Sequence, residues 1–248
     1  YTGYPMIRQA RAMCQQGDLG NIRVIQAEYA QDWLTLDLEN QPDSGGNKQA
    51  SWRTDPSQSG SGGCIGDIGT HAYNLLRFIT QLQPHQISAE LTSFVPGRKL
   101  DDNAQISLRL NGGAKATIWS SQIAPGNENH LQIRIYGEKA GLEWCQEDPN
   151  YLYFTKYGSP KQKITRGGAG AISAANEVSR IPPGHPEGYL EGFANIYSDV
   201  ANALIDKKNN EFDINKYHYP TVEDGLEGIR FIERSIASSN SDSSWINF

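Results

Sequence analysis

Apolar residues first recur at helical spacing in residues 4–17, where Met6, Ile7, Ala10 and Met13 share one face, Pro5 suits a first turn and Gly17 an end. The pattern then changes period. Over residues 21–34, Ile22, Val24 and Gln26 alternate with Arg23, Ile25 and Ala27, and the β-branched content predicts a strand. Residues 40–63 gather Gly, Ser, Pro and Asp, so a long loop is expected; loops of that length in a compact domain are functional or disordered. Trp52 and Arg53 in its middle favour an ordered one. Helical spacing returns from Asp67 to Thr80, with Ala72, Leu75, Leu76 and Ile79 on one face.

From residue 86 to 165 the chain breaks into short alternating runs separated by turn signals such as Asn111-Gly112-Gly113 and Gly137-Glu138-Lys139-Ala140-Gly141. Successive strands with short links predict an antiparallel meander, in which one sheet face packs and the other meets solvent or a partner. Two helices follow. The first, in GHPEGYLEGFANIYSDVANALID, aligns Leu190, Phe193, Ala194, Tyr197, Val200 and Leu204; the second, in TVEDGLEGIRFIERSIASS, has Thr221 at an N-cap position and acids in its first turn. The expected fold class is α+β: a single domain over residues 1–248, helices packed on one face of a large, mainly antiparallel sheet.

Charge narrows the partners. With 22 basic and 28 acidic residues the formal net charge is −6, and no run of five like charges occurs, so neither nucleic acid nor an anionic membrane is an expected partner. No apolar run approaches the roughly 20 residues of a membrane span. Cys14, Cys64 and Cys145 are odd in number, far apart and without CxxC spacing, which argues against a disulfide framework and a zinc-thiolate site. A reducing, cytoplasmic location is expected.

The candidate chemistry centres on GDIGTHAYNLL. Asp67 and His71 lie four residues apart where a glycine-rich segment turns into a helix, so a shared face would let the carboxylate fix the imidazole tautomer and make it a better proton acceptor. Spacing alone leaves other readings open and ranks one of them first: Asp67 as a helix cap, His71 as a core histidine bonded to a backbone carbonyl. A metal site is the weakest, since no H-E-x-x-H or third local ligand is present, although His85, His130, His185 or His218 could join in space. Arg53 in WRTDP has the planar fork that clamps anions or polyols. His185, between Pro183 and Pro186, is a loop side chain able to enter a cleft.

Taken together, GYPMIRQARAMCQQGDLGNIRVIQAEY, WRTDPSQSGSGGCIGDIGTHAYNLLRF, GHPEGYLEGFANIYSDV and YPTVEDGLEGIRFIERSIASS resemble the C-terminal domain of the glucose-fructose oxidoreductase and inositol dehydrogenase family, Gfo/Idh/MocA. The resemblance runs from about Tyr4 to Ser238. It implies a fold like the C-terminal domain of glyceraldehyde-3-phosphate dehydrogenase, a sheet that forms a homodimer or higher homo-oligomer, and a sugar or polyol substrate. It further implies Asp67 and His71 as the catalytic pair, with Trp52, Arg53 and His185 as substrate-contacting residues and no metal. NAD or NADP would be held mainly by an N-terminal Rossmann domain, whose G-x-G-x-x-G turn and E-K-P segment this chain lacks. The chain is therefore expected to be a fragment, inactive alone. Two other functions remain beside this one: a non-catalytic binding or assembly module of the same fold, and an NAD-assisted glycoside hydrolase.

Overall fold

The structure is a computed structural model and describes residues 1–40 and 47–248. Its centre is strand β1 (Ile22–Ala30), whose alternate residues Ile25, Ala27 and Tyr29 are buried while Val24 and Gln26 are exposed. On one side β1 pairs antiparallel with β5 (His130–Gly137), which continues through β6 (Ala140–Cys145), β7 (Tyr151–Lys156) and β8 (Gln162–Thr165). On the other it pairs parallel with β4 (Lys115–Ser121), then β3 (Asn103–Leu110), β2 (Pro84–Thr92) and a short β9 (Ile246–Asn247). The nine-stranded order is β8-β7-β6-β5-β1-β4-β3-β2-β9. The sheet is thus mixed, with β1–β4 its one parallel pair among the described residues.

The runs expected between residues 86 and 165 are all strands, but they do not form one meander because β1 lies between β4 and β5; the turn chemistry explains the sharpest link. Between β3 and β4, Gly112 and Gly113 adopt φ of 76° and 86°, the left-handed region that side chains disfavour. Helices cover one face. Helix α1 (Pro5–Gln16) and helix α4 (Thr70–Thr80) pack against each other and the middle of the sheet, and helix α7 (Val222–Ser239) lies over β2. Helix α7 begins as expected: Thr221 Oγ1 accepts from the Asp224 amide, and Asp224 Oδ2 accepts from the Thr221 amide at 2.8 Å. No helix among the described residues is long and apolar enough to cross a membrane. The three cysteines are free.

Two expectations change. The stretch 40–63 is not one loop: α2 (Lys48–Arg53) is capped by Asn47 and α3 (Pro56–Ser59) by Asp55, while residues 41–46 of that stretch lie outside the described residues. Helix α6 (Tyr189–Asn209) turns its apolar stripe outward, with Leu190 76% and Tyr197 69% exposed, and buries Gly192, Asn195 and Ala203 instead. The reason is backbone contact. A side chain at Gly3 would place its Cβ 2.0 Å from the Gly192 carbonyl oxygen, so the two segments meet where neither carries a Cβ. Asn195 Nδ2 adds a bond to the Gly3 carbonyl at 2.9 Å, and Arg8 pairs with Asp199 at 2.9 Å.

Gly3→Ala is expected to lose roughly 1–3 kcal/mol of stability through this overpacking. Gly228→Ala, inside α7 with open space around its Cβ position, should gain about 0.5–1 kcal/mol from helix propensity. Urea unfolding midpoints of the two variants check both signs.

Candidate active site

The turn that precedes α4, Ile65–Gly69, is wider than an α-helix: the Thr70 amide donates to the Ile65 carbonyl, five residues back. Such π-turns rotate the side chains they carry out of α-helical register and are frequent at functional sites. The turn's leading amides are satisfied from elsewhere. Asp101, between β2 and β3, accepts from Gly63 N and Ile65 N, both at 2.7 Å. Asp67 is therefore not the cap that its position suggested.

Its carboxylate is instead gripped by side chains. Arg53 Nε donates to Oδ2 at 3.1 Å and Gln122 Nε2 donates to the same oxygen at 2.7 Å. Arg53 is itself steadied, its guanidinium 4.2 Å from the Trp52 ring centroid and bonded to the Gln49 side-chain oxygen. Gln122 follows β4 and is pinned through its backbone: its amide donates to the Asp102 carbonyl at 2.9 Å, and its carbonyl accepts from Leu34 N at 3.0 Å. Two distant chain segments thus grip one carboxylate.

His71 stands in the first turn of α4 and is open to solvent, yet its ring is packed by Tyr1 edge-on at 5.2 Å and by Tyr29 at 6.2 Å. This enclosure lowers its pKa from 6.5, while Asp67 pulls in the opposite direction. The ring is accessible enough for a ligand and enclosed enough to disfavour the cation. At neutral pH it is a neutral imidazole, ready to take a proton.

Arg53, Asp67 and His71 border two cavities. One, of about 350 Å³, is lined by Tyr29, Gln31, Trp33 and Gln49. Its polar groups are ordered: Tyr29 Oη and Gln31 Nε2 both donate to Asn129 Oδ1 at 2.8 Å, and Trp33 Nε1 donates to Gln31 Oε1 at 3.0 Å. The Tyr29 hydroxyl also meets that of Tyr1. The other cavity, of about 720 Å³, lies between glycine-rich residues 60–63 and the α7 side chains Ile229, Ile232 and Ile236. The first is amide- and aromatic-walled, a surface suited to polyhydroxyl ligands; the second is mostly apolar.

The model for the GFO/IDH/MocA C-terminal domain matches residues 7–143. This chain belongs to that family. The uncharacterized oxidoreductase YfiI of Bacillus subtilis is 36% identical over all of the chain and 63% of its own length. An oxidoreductase from Sinorhizobium meliloti superposes with a TM-score of 0.85 at 49% identity, covering 99% of this chain and 62% of that one. An inositol dehydrogenase homolog from Azotobacter vinelandii, solved with NAD+, gives 0.94 at 33% identity over 100% and 63%. With NADH and myo-inositol it gives 0.90 at 31% over 100% and 62%. The chain spans less than two thirds of each of these relatives.

Within this Gfo/Idh/MocA domain the expected residues divide. Asp67, His71, Arg53 and Trp52 come together. His185 stays in its exposed turn, its carbonyl accepting from Arg166 Nη2 at 2.5 Å, and lines neither cavity beside His71. Sequence reasoning missed Gln122, Asp101 and Asn129, which are remote in the chain and carry no local signal. Tyr29, Gln31 and Trp33 had one, a period-two run of hydrogen-bonding aromatics and amide at the exit of a strand.

The His71 ring protons, followed by NMR, should titrate with a midpoint below 6.5, and Asp67→Asn should lower it further by removing the carboxylate that favours the cation. Because the folded-state pKa is depressed, the unfolded chain binds the extra proton first, so His71 contributes a loss of stability as pH falls below 6.5. A wild-type midpoint at or above that value overturns the assignment of a neutral base.

Proposed function

We propose that this chain is the substrate-binding and catalytic domain of an NAD(P)-dependent dehydrogenase that oxidises a hydroxyl group of a sugar, polyol or derivative. The observation that carries the reading is a neutral imidazole beside a clamped carboxylate on the wall of an amide- and aromatic-lined cavity. The inositol dehydrogenase homolog, solved with NADH and myo-inositol, supports the substrate class. In this reading residues 1–248 form one domain, and the nucleotide end of the cofactor is held by a domain beyond them. Two features support that division: no G-x-G-x-x-G turn occurs in these residues, and the outward apolar stripes of α6 and α7, including Phe193, Leu204, Leu226 and Ile229, offer a surface for a further domain to cover.

The residues beside His71 fit the reactive end of such a cofactor, because they supply a base but nothing able to accept a hydride. When bound, the nicotinamide ring supplies that acceptor. His71 would take the proton from the hydroxyl oxygen as hydride leaves the carbon that bears it. Asp67 then stabilises the imidazolium that forms, and Arg53 and Gln122 hold Asp67 in place through Oδ2, leaving Oδ1 free of their bonds. Trp52 supports Arg53 from beneath. Tyr29, Gln31 and Trp33, held in order by Asn129, present polar groups and ring faces to the hydroxyl groups of the substrate, in the role first assigned to His185.

The uncovered face of the sheet, with Val24 and Tyr136 exposed among polar residues, supports a homodimer or larger assembly; a dimer mass by light scattering is expected. In the full-length protein His71→Ala should reduce turnover by roughly two to four powers of ten while leaving NAD(P) affinity within about twofold. Assays pair myo-inositol and related polyols with NAD+ or NADP+, and read nicotinamide reduction. Unchanged turnover removes His71 from the mechanism. No reduction with any polyol, together with free sugar released from a glycoside, would replace oxidation by hydrolysis.

A further inference from the structure

The pleat of the sheet brings four side chains together far from His71 in sequence and unconnected with the proton-transfer site. Buried positions Leu131, Ile133 and Trp144 face the helices, so His130, Gln132 and Cys145 project from the uncovered face. In the antiparallel β5–β6 ladder Gln132 lies opposite Cys145, which brings His130, two residues earlier, towards Glu147, two residues later. In the β1–β5 ladder Gln132 lies opposite Glu28, which adds that carboxylate on the same face.

The resulting geometry is specific. His130 Nδ1 is 3.8 Å from Cys145 Sγ and 3.1 Å from Glu147 Oε2, and all three donor atoms lie within 4.8 Å of one another. On its other side His130 Nε2 lies 3.4 Å from Glu28 Oε1, with the Gln132 side-chain oxygen also at 3.4 Å. Glu28 Oε2 is in turn tied to Arg134 at 3.3 Å. His130 thus meets a carboxylate at each ring nitrogen, with the thiol on the Nδ1 side.

We propose that His130, Cys145 and Glu147 form a binding site for a divalent transition metal ion, Zn²⁺ by the character of its donors. Nitrogen, sulfur and carboxylate oxygen are the set that zinc prefers and magnesium does not. With Zn–S of about 2.3 Å and Zn–N and Zn–O of about 2.0–2.1 Å, a tetrahedral ion holds N and S about 3.6 Å apart and N and O about 3.4 Å apart. The two distances around Nδ1 lie within a few tenths of an ångström of these. Glu28 supplies the carboxylate–histidine partnership that orients a metal-bound imidazole. Binding displaces the thiol proton and leaves the fourth position for water. The ion ties the start of β5 to the turn after β6. The inference stands apart from the dehydrogenase reading, and it departs from the expectation of no metal because the ligands meet through strand register rather than through a local motif.

The purified protein, reduced and stripped with a chelator, is titrated with Zn²⁺ by calorimetry and with Co²⁺ by absorption. The expected result is one ion per chain and a thiolate-to-cobalt charge-transfer band that disappears in Cys145→Ser. Affinity should weaken at least about tenfold in His130→Gln, and about tenfold in Glu28→Gln. Zn²⁺ at a hundredfold excess over Kd should raise Tm by on the order of 5 °C. Circular dichroism verifies that the variants fold, and the wild-type cobalt spectrum decides the matter without them. Absence of stoichiometric uptake, a cobalt spectrum without a thiolate band, or uptake unchanged in Cys145→Ser and His130→Gln overturns the proposal. So does an NMR spectrum in which His130 stays protonated on both nitrogens with Zn²⁺ present, since a proton would then bridge the carboxylates.

Discussion

Two adjacent carboxylates between β2 and β3 hold the functional end of this domain together. Asp101 accepts the leading amides of the π-turn, and Asp102, fully buried, accepts Phe94 N at 2.9 Å, Val95 N at 3.0 Å and Arg98 Nη1 at 3.1 Å. Arg98 extends this grip to Glu39 at 2.7 Å and to the carbonyls of Leu34 and Leu36. The segment that leaves β1 is thereby fastened to the loop before β3. A buried charge removed from its partner is costly, so this network has one well-satisfied arrangement. The Asp102 carbonyl then fixes Gln122, and Gln122 fixes Asp67.

That chain of constraints explains why Asp67 is turned away from the helix amides. A carboxylate at the start of a helix is ordinarily drawn to the free amides there. Because Asp101 occupies them, Asp67 meets Arg53 and Gln122 instead, and its charge is directed to the side of the helix where His71 stands. The π-turn contributes the change of register. Rigid positioning by such neighbours is what the proposed proton transfer at His71 would need, since small displacements are expensive in rate.

The sheet divides labour between its faces. One face carries α1, α4 and α7 and the hydrophobic core, and its edge with the loops forms the site. The other is uncovered and mixed in character, with Glu28, Trp119, Arg134 and the His130 cluster spread over it. Strand β1 lies at the boundary of both halves of the sheet, parallel to β4 and antiparallel to β5, and its last residues lead directly into Gln31 and Trp33. The same strand therefore builds the core through Ile25, Ala27 and Tyr29, the cavity through Tyr29, and the open face through Glu28.

Much of this was legible in the residues themselves. Period-two alternation and turn signals marked each strand from 86 to 165, helical spacing marked α1 and α4, a capping residue marked α7, and the wording around Asp67, His71, Trp52 and Arg53 picked out residues that meet at one cavity. These signals are local: backbone dihedrals, side-chain alternation and capping act over a few residues. The tertiary structure alone decided that Asp101 caps the turn, that Gln122 holds Asp67 and Asn129 orders Tyr29 and Gln31, that His185 stays away from them, and that the stripe on α6 points outward. Each depends on which distant segments touch, and a periodic apolar face records only that a helix has such a face, not what will cover it. His130, Cys145 and Glu147 follow the same logic, since strand register, set by core packing across the sheet, turns separated residues into neighbours.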